Sequence, residues 1–228
     1  MRVMRNAALI LVAAACGQSP FEPNYTPTPV FTNPTNITNS YLPFSSMTKD
    51  VLVGTEGGLP FRVVRTRTGG TKAFTVNGQQ VLAMIMIDSA FENNVLIEVA
   101  KDYYAQSDAG DVFYLGEDVD NYQNGQIVNH DGAWLYGVHT NTLGVIYPAQ
   151  ASIGQKFRSE DVPGITTEND EVVAVNETIT VPIGTFQHCV RIKELLSDGA
   201  IEYKLYAPGV GVIKEIDEEG TTDVTSHT

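Results

Sequence analysis

The chain has 228 residues, with 27 acids against 14 lysines and arginines, a formal charge of −13 and only two cysteines. A surface this acidic argues against nucleic acid and anionic lipid headgroups as partners, since both would be repelled. Two cysteines allow at most one disulfide, so the fold must rest on its core.

Met1 to Asn6 carries Arg2 and Arg5 and no acid, and Ala7 to Ala15 (AALILVAAA) is a short apolar run ending in small residues. Residues 1–15 therefore read as a secretory signal, and their nine apolar residues fall well short of the roughly 20 that span a bilayer. Cys16 directly after AAA resembles the lipidation signal of bacterial lipoproteins, in which that cysteine carries the lipid and opens the mature chain. The membrane, reached through a lipid on Cys16, is the expected partner. Gly17 in place of Asp resembles the outer-membrane address of such proteins. Loss of Arg2 and Arg5 with the signal takes the charge to −15. Gly17 to Asn39 is rich in Pro, Thr and Asn without periodicity, so residues 16–39 read as a lipidated, extended tether. Residues 40–228 are of a size for one domain.

That domain reads as strand after strand. FRVVRTRT, VLAMIMI, NNVLIEVAKDYYAQ, GDVFYLGE, NGQIVNH, AWLYGV, EVVAVNETITVPI, GTFQHCVRIKEL, AIEYKLYA and VGVIKEI are rich in β-branched and aromatic residues. Gly, Asn-Gly, Asp-Gly and Pro-Gly signals separate them. VLAMIMI is apolar on both faces, as a central strand or a short buried helix would be. Ala149 to Asp161 is a second, weaker helical candidate. In IEYKLY, Ile201, Tyr203 and Leu205 share one face. The expected fold is all-β: an antiparallel meander curled into a barrel or half-barrel, with few or no helices.

The chemistry-bearing residues concentrate in VFYLGEDVDNYQNGQIVNHDGAW, from Val112 to Trp134. Asn124-Gly125 is a type I′ hairpin signal. A regular ladder from that turn sets Val119 against His130, Glu117 against Gly132 and Leu115 against Trp134. One face then holds Phe113, Leu115, Trp134 and Tyr136, the candidate ligand pocket, with Glu117 and His130 beside it as a candidate acid/base pair. The other face sets Asp118 against Asp131 near Asp120. A calcium ion would relieve that repulsion, although the spacing matches no known calcium loop and no metal is expected. Cys189, in the strand-like TFQHCVRI, reads as a small buried hydrophobe. No G-x-S-x-G elbow, H-E-x-x-H or Walker loop occurs, and no cofactor is expected.

NSYLPF (Asn39 to Phe44), DYYAQSDAGDVFYLGED (Asp102 to Asp118), VPIGTFQHCV (Val181 to Val190) and YKLYAPGVGVIKEI (Tyr203 to Ile216) resemble blocks of uncharacterised secreted bacterial lipoproteins. Ser40 stands where proline is expected and Phe113 where tryptophan is common. The last two blocks also look like those of LolA/LolB-like periplasmic lipoproteins. The resemblance implies a curved antiparallel sheet able to cradle an apolar ligand; it brings no catalytic residues. The leading expectation is a lipid-anchored protein of the cell envelope, at the outer membrane, that binds an apolar or amphipathic ligand or an envelope partner. A cofactor-free hydrolase, lyase or isomerase using Glu117, His130 and Trp134 stays open, as does a purely structural surface lipoprotein.

Overall fold

The computed structural model describes residues 21–228, so the expected signal and the expected lipidation site Cys16 lie outside the described residues. One 3-10 turn (Phe44–Ser46) precedes fourteen strands. The first seven are β1 (Lys49–Glu56), β2 (Leu59–Val76), β3 (Gln79–Glu92), β4 (Val95–Gln106), β5 (Val112–Gln123), β6 (Gln126–Asn129) and β7 (Trp134–Leu135). Then come β8 (Gly144–Tyr147), β9 (Lys156–Val162), β10 (Thr166–Val181), β11 (Gly184–Leu196), β12 (Ile201–Ala207), β13 (Gly211–Ile216) and β14 (Gly220–His227). They form one antiparallel sheet in the order β6-β5-β4-β3-β2-β1-β14-β13-β12-β11-β10-β9, with β7 and β8 paired to β5.

The fold is the expected all-β meander. Two runs of sequential hairpins are joined where the C-terminal strand β14 pairs with β1, Leu52 opposite Val224. The path has two ends, β6 and β9, and is not closed by hydrogen bonds, which makes it a half-barrel. Strand β8 narrows the gap. The Ser159 carbonyl of β9 lies 1.8 Å from where a β carbon on Gly144 would sit, so a glycine is required for the two backbones to meet.

VLAMIMI proves to be the middle of β3, flanked by β2 and β4, which accounts for its two apolar faces. The helical alternative for Ala149 to Asp161 is corrected. Its second half is β9, where Phe157, Ser159 and Glu160 are buried against β10. Strands β1 and β14, with sequences KDVLVGTE and GTTDVTSH, are weak strand signals and are held on both sides, β1 between β2 and β14 and β14 between β13 and β1.

The stretch expected as a tether has no helix or strand up to Thr38, yet from Phe21 onward it lies along the domain. Phe31 and Ile37 are buried in the main hydrophobic cluster, and Thr32 bonds Asp108 through both its amide and its hydroxyl. Burying two large apolar side chains contributes about 1.5–3 kcal/mol each, enough to hold an irregular segment in place. A second, smaller cluster gathers Leu52, Phe61, Val63, Cys189, Leu205 and Ile213.

The core is unusual in its charge. Among the described residues, twelve carboxylate residues are buried against one arginine and one lysine. Buried acids are rare unless paired, so their position relative to the few cations decides where a functional site can lie.

Candidate functional site

The hairpin begins as its turn dictates. Asn124 and Gly125 both adopt positive φ, and Tyr122 pairs with Ile127. A bulge between Asn121 and Tyr122 then slips the ladder. By Glu117 the displacement is two residues, so Glu117 faces Trp134 instead of Gly132. A second irregularity sits at Gly116, with φ 121° and the Trp134 carbonyl 2.2 Å from where a β carbon would be. The bulge has a consequence for side-chain direction. Tyr114 pairs with Tyr104 and Glu117 with Asp102, so Tyr114 and Glu117 share a face that plain alternation would have separated.

That face borders an open cleft in the half-barrel with about 60 Å³ of free space, lined by Asp102, Tyr104 and Tyr114, with Glu117 buried just behind its wall. Its apolar wall is aromatic: Phe44, Tyr104, Tyr114 and Tyr206, with Tyr104 and Tyr114 stacked at 5.0 Å and Tyr104 also against Phe44 at 5.4 Å. Its polar lining is charged, with Arg65, Arg67 and Lys204 among Asp50, Asp88, Asp102, Glu160 and Glu168. A neighbouring cleft shares Arg65 and Asp88 and adds Glu98, Glu202 and Glu215.

The cations are already committed. Arg65 donates from Nε to Asp88 (2.9 Å) and from Nη2 to Glu215 (2.7 Å). Arg67 donates to Asp50 and lays its guanidinium over the Phe44 ring, 4.7 Å from the centroid. Lys204 Nζ donates to Glu194 at 2.6 Å. Burial works against ionising Glu215, but Arg65 and Lys204 outweigh it and hold this carboxyl at about 2.

Asp102 on β4, Glu117 on β5 and Glu160 on β9 have no such partner. Asp102 accepts from the Tyr114 hydroxyl at 2.7 Å. Glu160 accepts from the Trp134 indole at 2.9 Å and from the Thr166 hydroxyl. Glu117 is 3 % exposed, and its Oε2 is buried with no hydrogen-bond partner among the described residues. Burial first, and then the charge of Asp88, raise Asp102 to about 7; burial and Asp88 likewise raise Glu98 to about 8. Burial pushes Glu117 well above the ordinary carboxylate range, and Glu160 and Asp102 push it further.

The residues expected from sequence are placed as follows. Phe113, Leu115, Trp134 and Tyr136 are all buried, but none lines either cleft. Phe113 packs edge-on to Phe31 at 5.7 Å, under the N-terminal segment. Trp134 stands behind the wall, edge-on to Tyr114 at 5.3 Å. Glu117 points inward, whereas His130 is solvent-exposed and bonds the Val119 carbonyl and Asp120. The Glu117/His130 pair is therefore not formed. Asp118 takes Lys72 and Tyr103, Asp120 takes His130, and Asp131 no longer faces Asp118 after the slip. The three aspartates do not assemble a calcium site.

Among the described residues, the one group of acids with metal-ligand spacing is Glu168, Asp170 and Glu194, whose oxygens lie within 4.8 Å of one another. Lys204 occupies Glu194, and Ser159 donates to Glu168 from its hydroxyl and to Asp170 from its amide. These acids, on β10 and β11, carry no local sequence signal; only pairing with each other and with β9 and β12 brings them together. Ile201 of IEYKLY is 38 % exposed, and Glu202, Lys204 and Tyr206 are buried. The signal available for Lys204 was a Glu-x-Lys-x-Tyr alternation within an apolar strand.

No family model matches the chain, and no curated relative does. Two solved structures are similar to it. One, provisionally described as an exported protein with a YmcC-like fold from Bacteroides fragilis, is 12% identical with a TM-score of 0.42, covering 79% of this chain and 94% of its own. The other, provisionally described as a lipoprotein from Parabacteroides distasonis, is 14% identical with a TM-score of 0.44, covering 83% of this chain and 99% of its own. Neither is described as LolA/LolB-like, and neither likeness reaches the level at which a function could be transferred.

Proposed function

We propose that this is an exported, lipid-anchored binding protein of the bacterial cell envelope, attached through Cys16, that holds a small amphipathic ligand in its half-barrel and performs no catalysis on it. The observation that carries the reading is the cleft that joins an aromatic wall (Phe44, Tyr104, Tyr114, Tyr206) to charged groups within one concavity. Pockets of this make-up take up the apolar body of a ligand and fix its orientation with a few polar groups. The charged lining favours an amphipathic ligand over the wholly apolar one. Envelope location rests on the signal, the AAAC junction at residues 13–16 and the Pro/Thr/Asn-rich run that follows.

The test is mild extraction of the full-length protein from its native membrane, followed by mass spectrometry of co-purifying small molecules. The expected result is a stoichiometric small amphiphile, lost when Tyr114 and Tyr206 are changed to Ala. A protein that carries nothing and gains no thermal stability from any amphiphile at saturating concentration would overturn the proposal.

A further inference from the structure

The cleft is asymmetric in charge, and that asymmetry identifies what its ligand must supply. The three cations are matched to Asp50, Asp88, Glu194 and Glu215. Opposite them, Asp102 and Glu160 line the cleft and Glu117 stands directly beside Asp102 across the β4–β5 ladder. Their donors are neutral: the Tyr114 hydroxyl, the Trp134 indole and the Thr166 hydroxyl. Glu117 Oε2 has no donor at all among the described residues. An unmade hydrogen bond on a buried carboxyl oxygen costs about 1–3 kcal/mol, and such an atom calls for a donor that arrives from outside.

We propose that the ligand of this cleft carries an organic ammonium group, which seats against Asp102, Glu117 and Glu160 with its apolar body along Tyr104 and Tyr114. This rests on the reading of the cleft as a binding site. A bare metal ion fits less well. Asp102, Glu117 and Glu160 are not among the acids whose oxygens converge within 4.8 Å, and the trio that does converge already holds Lys204 and Ser159. An ammonium group with three N–H donors spans wider-set acceptors. The cleft already contains one cation lying on an aromatic face, Arg67 over Phe44, so cation–π contact with Tyr104 or Tyr114 adds to the same recognition.

Protonation follows from the same geometry. Glu117 is faced by Asp102 and Glu98 from β4, by Glu160 from β9 and by Trp134 from β7, and burial among these acids favours its neutral form. An incoming ammonium reverses that preference. The carboxyl proton then leaves to solvent, and the ammonium keeps its own.

The experiment is isothermal titration of the full-length protein in detergent with hexylamine, hexanoate, hexanol and calcium chloride. Hexylamine is the expected binder, with a heat that depends on buffer ionisation because a proton is released. Glu117→Gln is expected to fold and to bind hexylamine about tenfold more weakly or worse. Glu160→Gln gives the same direction should Glu117→Gln fold poorly. Glu202→Gln, in the neighbouring cleft, should leave binding within about twofold. Phosphatidylethanolamine against phosphatidylglycerol in mixed micelles separates a lipid headgroup from a free amine, and either source supports the proposal. Binding of hexanoate, hexanol or calcium in preference to the amine overturns the ammonium assignment and leaves the binding function standing. So does equal amine binding by Glu117→Gln and Glu160→Gln. Absence of binding by all four compounds and by both lipids overturns the assignment together with the binding function.

Discussion

The two sides of the cleft hold the same kinds of residue and treat their charge in opposite ways. Towards β1, β2, β3 and β13, Arg65 bridges Asp88 and Glu215, and Arg67 joins Asp50. Towards β4, β5 and β9, Asp102, Glu117 and Glu160 receive only neutral donors or none. A satisfied ion network is what a fold needs to tolerate buried charge. An unsatisfied one destabilises the fold and is expected where a ligand completes it. Burial alone does not separate the two sides, since Asp88 and Glu117 are 6 % and 3 % exposed; the identity of their partners does.

The largest expected effect breaks the satisfied side. Arg65→Met strands Asp88 and Glu215 without their shared guanidinium and should cost about 3–5 kcal/mol, as removal of one partner of a buried ion network does. Urea unfolding followed by far-ultraviolet circular dichroism measures it. A loss under about 1 kcal/mol would mean that water, not Arg65, satisfies these acids, and the contrast between the sides would vanish.

A smaller effect sharpens the contrast through pH. Glu98 and Asp102 have folded values of about 8 and about 7, above their unfolded ones. Such groups bind protons on folding. Their stabilising contribution is full below the unfolded value and is lost as pH rises through 7 to 8. Glu215, held at about 2, runs the other way: its contribution is present above its unfolded value and is lost as pH falls through the folded one. The melting temperature of the ligand-free protein should therefore be higher at pH 5.5 than at pH 9 by several degrees, roughly 2–4 °C per kcal/mol at this size, and should fall again below about pH 4. A flat or rising profile between pH 5.5 and 9 would show that the unpaired side is not destabilised by its own charge.

The smallest effect is expected outside the cleft. His130→Ala at the exposed end of the hairpin removes one contact to Asp120 and should change stability by less than about 0.5 kcal/mol and leave ligand binding unchanged. A large loss of binding would reinstate His130 as a partner of Glu117.

Local signals were read correctly where the physics is local. The Asn124-Gly125 turn and the burial of Cys189 in its strand appear as expected, and VLAMIMI takes the central-strand alternative of the two its apolar faces allowed. The expectations that depended on counting outward from the turn did not hold. Two irregularities, at Asn121/Tyr122 and at Gly116, slip the ladder and bring Tyr114 to the side of Glu117. A bulge depends on which neighbouring strand a backbone meets, here β7 through the Trp134 carbonyl, and no short window of sequence contains that neighbour. IEYKLY shows the same limit differently. Its alternation is real, but both faces are buried in part: Leu205 packs into the second cluster, while Glu202, Lys204 and Tyr206 are buried on the other face, where charges meet across strands.

By itself the sequence determined an all-β chain, strand-forming residues punctuated by tight turns, with a large excess of acid. Propensity, alternation and composition are properties of neighbouring residues and carry that much. The tertiary structure alone decided that the acid excess is carried inward, and that Arg65 and Lys204, distant in the chain from Glu215 and Glu168, neutralise one side only. It also left Glu117 buried with an unanswered oxygen. Charge pairing across a curled sheet is set by strand order and register, which exist only once the sheet has formed.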